Sequence, residues 1–141
     1  MTSDFAITST SYASSFDERW RASSHGADAG ETGTLELATL TAFKKADGTL
    51  PSGIAVGEIT ATPGHYGLFD TAATDGRQIL AGFINADVSI TNAAGTVQPS
   101  GLAPFSLFNH GSIKRSVLPV VAQRTAITYT VASRGQFVFV D

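Results

Sequence analysis

Two aspartates and a glycine within residues 64–83, GHYGLFDTAATDGRQILAGF, have the residue types of a calcium-binding loop. In an EF-hand loop a glycine occupies the sixth position, and oxygen ligands occupy the first, third and twelfth positions. When Gly76 is placed at the sixth position, those three ligand positions fall on Thr71, Ala73 and Gly82. None of the three carries a carboxylate, so the sequence argues against a metal site in this segment.

The same segment has the composition of a tight turn between strands. The carboxylates of Asp70 and Asp75 can accept hydrogen bonds from nearby backbone amides, and Gly76 can adopt a positive φ. Gly64 follows Pro63, and this pair is typical of the end of a strand. We therefore interpret Gly64 and the three residues of the turn as structural, and we expect neither a metal nor a cofactor.

Catalysis by side chains is the next hypothesis, because the chain has three histidines, His25, His65 and His110, and many serines. No serine lies in a G-x-S-x-G elbow, and no two histidines have the i, i+4 spacing of a zinc pair. Glu58 and Asp87 could form the carboxylate pair of a glycosidase, but a β-rich domain of this size offers such a pair by chance. We therefore predict that the protein is not an enzyme.

Length and charge limit the number of domains and the kinds of partner that we expect for this protein. Its 141 residues suit one domain with its own core. Charged residues make up 15% of the chain, against about 25% in a typical soluble domain, which suits a surface covered by protein partners or simply a small β domain. Residues 1–34 contain five acidic and two basic side chains, a net charge of −3, so the remainder sums to zero. Nucleic-acid binding needs clustered Lys and Arg, so we expect no nucleic-acid partner.

Membrane and thiol chemistry are also disfavoured. The chain has no cysteine, which excludes thiolate catalysis and cysteine-based zinc sites. Its first residues lack the basic and apolar regions of a signal peptide. Residues 88–113 carry no formal charge, but Asn, Gly and Pro interrupt them, so they could not cross a bilayer as a helix. We expect no membrane partner.

Residues 1–33 differ in composition from the rest of the chain. They are rich in Ser, Thr, Ala and Gly, and four aromatic residues are spaced among them: Phe5, Tyr12, Phe16 and Trp20. Such a segment cannot bury enough apolar surface to offset its ordering entropy alone. An unstructured tail is one interpretation; the aromatics favour an arm that orders on a partner or on a neighbouring subunit.

The remaining residues, 34–141, have the pattern of many short strands. Strands are predicted over residues 34–43, 52–62, 65–69, 77–90 (two strands), 105–111 and 136–140, with a turn at Asp47-Gly48 and a long loop at 91–104. One helical turn is predicted before Pro119, whereas residues 125–134 suit either a helix or a strand. The pattern predicts a mostly β, barrel-like domain with one or two short helices and an extended N-terminal arm.

Three blocks in order resemble a known family. Residues 52–90, SGIAVGEITATPGHYGLFDTAATDGRQILAGFINADVSI, are similar to the central segment of the head decoration proteins of tailed bacteriophages, the group that includes the phage lambda decoration protein. Residues 105–119, FSLFNHGSIKRSVLP, resemble a second block of that family, and residues 18–43 resemble the N-terminal entry of its longer members. The blocks cover most of residues 18–119.

The resemblance implies a small β-tulip type fold and a structural function. Such proteins are non-enzymatic trimers that bind the major capsid protein on the outer surface of the expanded head, at three-fold and quasi-three-fold positions. They stabilise the head against the pressure of packaged DNA. The resemblance therefore implies a virion protein, made in the host cytoplasm, with no cofactor.

The predicted capsid-binding residues lie in the arm and at the start of the first strand. We expect the arm to bind by adding a strand to an edge of the capsid protein. The candidate contacts are Phe5, Tyr12, Phe16, Trp20, Leu35 and Leu37. The alternative is a host-binding or carbohydrate-binding module displayed on the virion, for which the loop at 91–104 is the candidate site.

Overall fold

The computed structural model describes residues 17–27, 30–92, 94–98 and 100–141. Within these ranges the strands are β1 (Glu31–Glu36), β2 (Thr49–Leu50), β3 (Ala55–Glu58), β4 (His65–Leu68), β5 (Gly82–Ile84), β6 (Val88–Ser89), β7 (Leu102–Phe108), β8 (His110–Lys114) and β9 (Gln136–Val140). Short 3-10 turns lie at Leu37–Thr39, Thr41–Phe43 and Arg115–Val117, and α1 is Val121–Ala126. The predicted fold class, mostly β and barrel-like with short helices, is confirmed.

Five strands close into a barrel in the order β1-β4-β3-β5-β7, because β7 pairs with both β5 and β1. The closing pair is antiparallel and runs from Glu31 opposite Leu107 to Glu36 opposite Leu102. The β1–β4 pair is parallel, whereas the other barrel pairs are antiparallel. Closure removes the open edges that these strands would otherwise expose.

The barrel strands carry buried side chains on both faces. One cluster contains Val56, Ile84 and Leu107, and a second contains their chain neighbours Ala55, Phe83 and Phe108. Because side chains alternate across a strand, the first cluster fills the barrel and the second lies against its outside. A strand covered on both faces has consecutive apolar residues, which explains why the pattern in this chain is not a strict alternation.

The predicted strand over residues 34–43 is wrong beyond Glu36. The chain there forms two 3-10 turns, and the amide of Leu40 donates to the carbonyl of Leu37 at 2.9 Å. Both leucines are buried in the barrel cluster. A strand would place residues three apart on opposite faces, whereas a 3-10 turn places them on the same face.

The structure shows what is formed by residues 125–134, the segment whose pattern suited either a helix or a strand. Helix α1 ends at Ala126, and residues 127–135 are irregular before β9 begins.

The predicted helical turn before Pro119 is present at Arg115–Val117. The predicted final strand is confirmed as β9, which pairs in parallel with β8 in a sheet separate from the barrel.

The predicted boundary at Gly33 between an arm and the domain is wrong for the described residues. Gly33 lies inside β1, and Trp20 is packed in the second cluster with only 1% of its surface exposed. Residues 20–22 run antiparallel to β8, with Arg21 opposite Ile113. The folded body therefore includes residues 17–27 and 30–33, and residues 1–16 and 28–29 of the predicted arm lie outside the described residues.

Candidate functional site

The acidic turn is held by its own backbone. The carboxylate of Asp70 accepts a hydrogen bond from the amide of Ala72 at 2.9 Å, and the carbonyl of Asp70 accepts one from Ala73 at 3.0 Å. The amide of Thr60 donates to the carbonyl of Asp75 at 2.9 Å, which ties the turn to the chain beyond β3. The carboxylate of Asp70 thus has a local backbone partner.

The second aspartate of the turn forms an ion pair with Arg77. The carboxylate of Asp75 accepts hydrogen bonds from the Arg77 side chain at 3.0 and 3.1 Å and from the Arg77 amide at 3.2 Å. The guanidinium holds the pKa of Asp75 below its ordinary value, chiefly through the side-chain hydrogen bond. Gly76 has a φ of 112°, and a Cβ there would clash with the carbonyl of Glu58.

The carboxylates considered for catalysis have separate partners. Glu58 pairs with Arg134 and accepts from the amide of Gly64 at 3.1 Å. Asp87 pairs with Lys45 and accepts from the amide of Ser52 at 2.8 Å. Within the described ranges, no group of three or more His, Cys, Asp or Glu side chains could hold a metal ion.

Glu58 instead shares a depression of about 160 Å³ with Glu31 and Tyr66. Asn109 donates to the carboxylate of Glu31 at 3.0 Å. Burial, and then the two nearby glutamates, raise the pKa of Tyr66. The phenol therefore stays protonated at neutral pH, and each carboxylate already has a donor, which is the arrangement of a structural polar cluster.

Three of the predicted capsid contacts lie inside the protein. Trp20, Leu35 and Leu37 are at most 1% exposed. The indole of Trp20 stacks on Phe83 with ring centroids 5.7 Å apart, and its Nε1 donates to Ser52 Oγ at 3.1 Å. These side chains complete the core, so the prediction that they are surface anchors is wrong. The remaining predicted contacts, Phe5, Tyr12 and Phe16, lie outside the described residues.

The β8–β9 sheet provides an exposed face that sequence reasoning missed. Ile113, Phe137 and Phe139 pack inward on the second cluster. By strand alternation, the outer face of the sheet, termed the β8–β9 face, carries the side chains of His110, Ser112, Lys114, Gln136, Val138 and Val140. Val138 is 63% exposed and Val140 is 37% exposed.

A depression of about 350 Å³ lies at the β8–β9 face, lined by His25, His110, Ser112, Gln136 and Val138 among others. The two imidazoles meet edge to face with centroids 5.3 Å apart. Nδ1 of His110 lies 2.9 Å from the side-chain oxygen of Asn109. Nothing in the sequence links His25 to His110, because they are 85 positions apart.

The outer edge of β9 is the second feature of this surface. Strand β9 pairs with β8 on one side, and no other described residue pairs with it. The alternation QFVFV, with no charged residue and no proline, was the available sequence signal for such an edge. The arrangement can bind another polypeptide segment through its backbone.

None of the helices in the described part of the chain has the length and hydrophobicity to span a bilayer. No family model, curated protein or solved structure matches the chain.

Proposed function

We propose that this chain is a head decoration protein of a tailed bacteriophage. In this proposal it binds as a trimer to the outer surface of the expanded capsid, at the three-fold and quasi-three-fold positions. Its partner is the major capsid protein, and its task is to hold neighbouring capsid subunits against the pressure of packaged DNA. The observation that carries the proposal is the resemblance of residues 52–90 and 105–119, in order, to that family.

The positions of the matched residues support this proposal. Residues 52–90 contribute β3, β4, β5 and β6 and the acidic turn, and residues 105–119 contribute most of β7 and all of β8. Four of these six strands, β3, β4, β5 and β7, belong to the barrel. A likeness of this kind fits a shared structural role better than a shared reaction.

The exposed surface also supports a binding role. The β8–β9 face places Val138 beside a depression, exposes Val140, and carries a single charged residue, Lys114. Low charge at the centre of a patch is typical of protein interfaces. We propose that this face contacts the capsid together with the aromatic residues of the N-terminal segment, Phe5, Tyr12 and Phe16.

Preferential binding to one shell state is the mechanism of stabilisation. A ligand that binds the expanded shell more tightly than the immature shell stabilises the expanded one by mass action. The protein needs no reaction and no cofactor for this task. It needs a rigid body, which the closed barrel provides, and a binding surface.

The test is co-sedimentation of the purified protein with immature and expanded heads of the virus that carries it. We expect binding to expanded heads in a multiple of three copies per site, and weaker binding to immature heads. Val138→Asp should weaken binding by about tenfold or more, because it buries a charge in the contact. Leu102→Asp is the matched control, since Leu102 is 57% exposed at the start of β7. Equal binding to both head forms, or no binding, would contradict the proposal.

A second candidate function is supported by the depression at the β8–β9 face. The imidazoles of His25 and His110 and the polar groups of Ser112 and Gln136 could bind a small polar ligand such as a sugar. In that case the protein is a carbohydrate-binding module displayed on the virion. Glycan-array binding that Gln136→Ala abolishes, together with equal binding to immature and expanded heads, would favour this second function.

A further inference from the structure

The backbone of β9 presents unpaired groups along its outer edge. The amide of Gln136 donates to the carbonyl of Asn109 at 3.1 Å, so the backbone groups of Gln136 point toward β8. Backbone groups of successive strand residues point in opposite directions, so those of Phe137 and Phe139 point away from β8. Among the described residues, no group hydrogen-bonds to them.

This edge lacks three features that protect strand edges in natural proteins, namely a charged residue, a proline and a bulge. Residues 136–140, QFVFV, contain no charge and no proline, and each pairs with a β8 residue in unbroken register. An uncharged, regular edge of this kind is a template for another strand. We therefore expect a polypeptide segment to cover this edge.

The opposite edge of the same sheet is already covered by the N-terminal part of the chain. The amide of Lys114 donates to the carbonyl of Trp20 at 2.7 Å, and the amide of Ala22 donates to the carbonyl of Ser112 at 2.9 Å. The chain before Trp20 therefore lies at the end of the sheet where β8 and β9 finish. The chain turns just before this point, because the amide of Arg21 donates to the carbonyl of Glu18 at 2.9 Å. Asp17 lines a depression together with Ser116, and its carbonyl accepts from Ser52 Oγ at 3.0 Å.

The sixteen residues before Asp17 are long enough to reach the outer edge of β9. Neighbouring strands lie about 4.8 Å apart, so a strand added outside β9 would lie about 14 Å from residues 20–22. Sixteen extended residues span about 50 Å, several times this distance. Residues 5–12, FAITSTSY, are uncharged and rich in residues that favour strands, so they are the part of this segment suited to run along β9.

We propose that residues 5–12 of the same chain pair with the outer edge of β9 and extend the β8–β9 sheet. Because the chain returns at the end of the sheet near Val140, residues 5–12 run parallel to β9. The segment satisfies the outward backbone groups of Phe137 and Phe139. The proposal concerns the free protein and does not rest on the decoration function. It is compatible with it, since a docked strand still presents every second side chain to a partner.

The experiment measures amide hydrogen exchange by NMR in the full-length protein. The docked segment predicts that the amides of Phe137 and Phe139 are protected. Ile7→Pro should make both exchange about tenfold faster or more, because the substitution removes a strand donor and restricts the backbone. Ser3→Pro, which lies before the docked segment, should leave both amides protected.

The amide of Ile84 reports on the fold, because it donates to the carbonyl of Ile54 at 2.9 Å inside the barrel. Its exchange should be the same in all three proteins. If Phe137 and Phe139 exchange at the same rates in the wild type and in Ile7→Pro, the proposal is overturned.

A mixing experiment distinguishes docking within a chain from donation by another copy. Isotope-labelled Ile7→Pro is refolded with an excess of unlabelled wild type, and exchange is measured on the labelled chains. Docking within the chain predicts that Phe137 and Phe139 of the labelled variant stay unprotected. Recovery of their protection would assign the segment to a neighbouring copy and overturn the proposal as stated. Capsid attachment plays no part in these measurements, so their failure would not affect the decoration proposal.

Discussion

The side chain of Gln123 completes the backbone hydrogen bonding of Ala55. Its carbonyl oxygen accepts from the amide of Ala55 at 2.9 Å, and its amide nitrogen donates to the carbonyl of Ala55 at 3.0 Å and to that of Phe69 at 3.2 Å. Gln123 lies in α1 and is only 3% exposed. A helical side chain thereby occupies the place of a strand partner at the start of β3.

Replacing this glutamine should destabilise the protein. Gln123→Leu has a similar size but leaves the amide of Ala55 and the carbonyl of Phe69 without partners, whereas the carbonyl of Ala55 keeps the amide of Phe69. We therefore expect a loss of about 2 kcal/mol or more in the free energy of unfolding. Urea unfolding followed by circular dichroism measures it. Gln136→Leu, at an exposed position on β9, is the control and should change stability by less than about 0.5 kcal/mol. Equal effects of the two substitutions would show that the buried hydrogen bonds contribute nothing specific.

Trp20 should be essential for folding rather than for binding. Trp20→Ala removes a fully buried indole from the second cluster, and we expect a cost of about 3–5 kcal/mol. Deleting residues 1–33 should abolish folding, because it also removes half of β1. Tyr129→Ala is the control at a 63% exposed aromatic and should cost less than about 1 kcal/mol. A cooperative thermal transition in the deletion variant would contradict the placement of residues 20–27 and 30–33 in the body.

Alanine substitutions at two glycines within residues 64–83 distinguish the cost of backbone strain from the cost of a steric clash. Gly64 and Gly76 both have positive φ, at 86° and 112°. A Cβ at Gly64 would meet nothing within 4 Å, whereas at Gly76 it would meet the backbone of Glu58. We expect Gly64→Ala to cost about 1 kcal/mol and Gly76→Ala clearly more. Thermal unfolding of the two variants measures the difference, and a larger loss for Gly64→Ala would refute the role of the Glu58 clash.

Acid should weaken the contact between Asp17 and Arg19. Hydrogen bonds from the Arg19 side chain, and then from its backbone amide, lower the pKa of Asp17 from 3.8 to about 2. Because the folded pKa is the lower one, this stabilisation is present above about pH 4 and is lost as the pH falls to about 2. The carboxylate is half exposed, so the contribution should be less than about 1 kcal/mol.

Denaturant unfolding at several pH values tests the acid dependence. Asp17→Asn should reduce the stability of the protein near neutral pH and flatten its dependence on pH between about 4 and 2. The remaining slope should come from other carboxylates with lowered pKa, including Asp75 and Asp47. An unchanged slope in Asp17→Asn would mean that the contact with Arg19 is equally present in the unfolded chain.

The local pattern predicted the strand-rich class and several elements well. Gly and Pro separate the apolar runs, and the strands at His65–Leu68 and Gln136–Val140 lie where the alternation predicts them. The pattern failed over residues 37–43, because buried leucines three positions apart suit a 3-10 turn, and periodicity over so few residues does not separate the two.

The predicted binding residues show the limit of composition as a guide. Trp20 falls in the predicted arm because its neighbours are small and polar, yet its indole completes a cluster contributed by β3, β5, β7 and β8. An aromatic in a polar stretch suits a surface anchor or a core residue equally, and the choice depends on chain segments far away in sequence. The same holds for Leu35 and Leu37, which fill the barrel.

The sequence by itself determined that the chain is β-rich, low in charge and free of recognisable catalytic or metal-binding motifs, because these properties depend on residue types and short spacings. The tertiary structure alone decided that β7 closes the barrel against β1, that His25 meets His110, and that Gln123 reaches Ala55. It also decided that β9 keeps one edge unpaired among the described residues. These pairings join positions far apart in the chain, and they form because closure and burial of both strand faces leave few arrangements that satisfy the backbone.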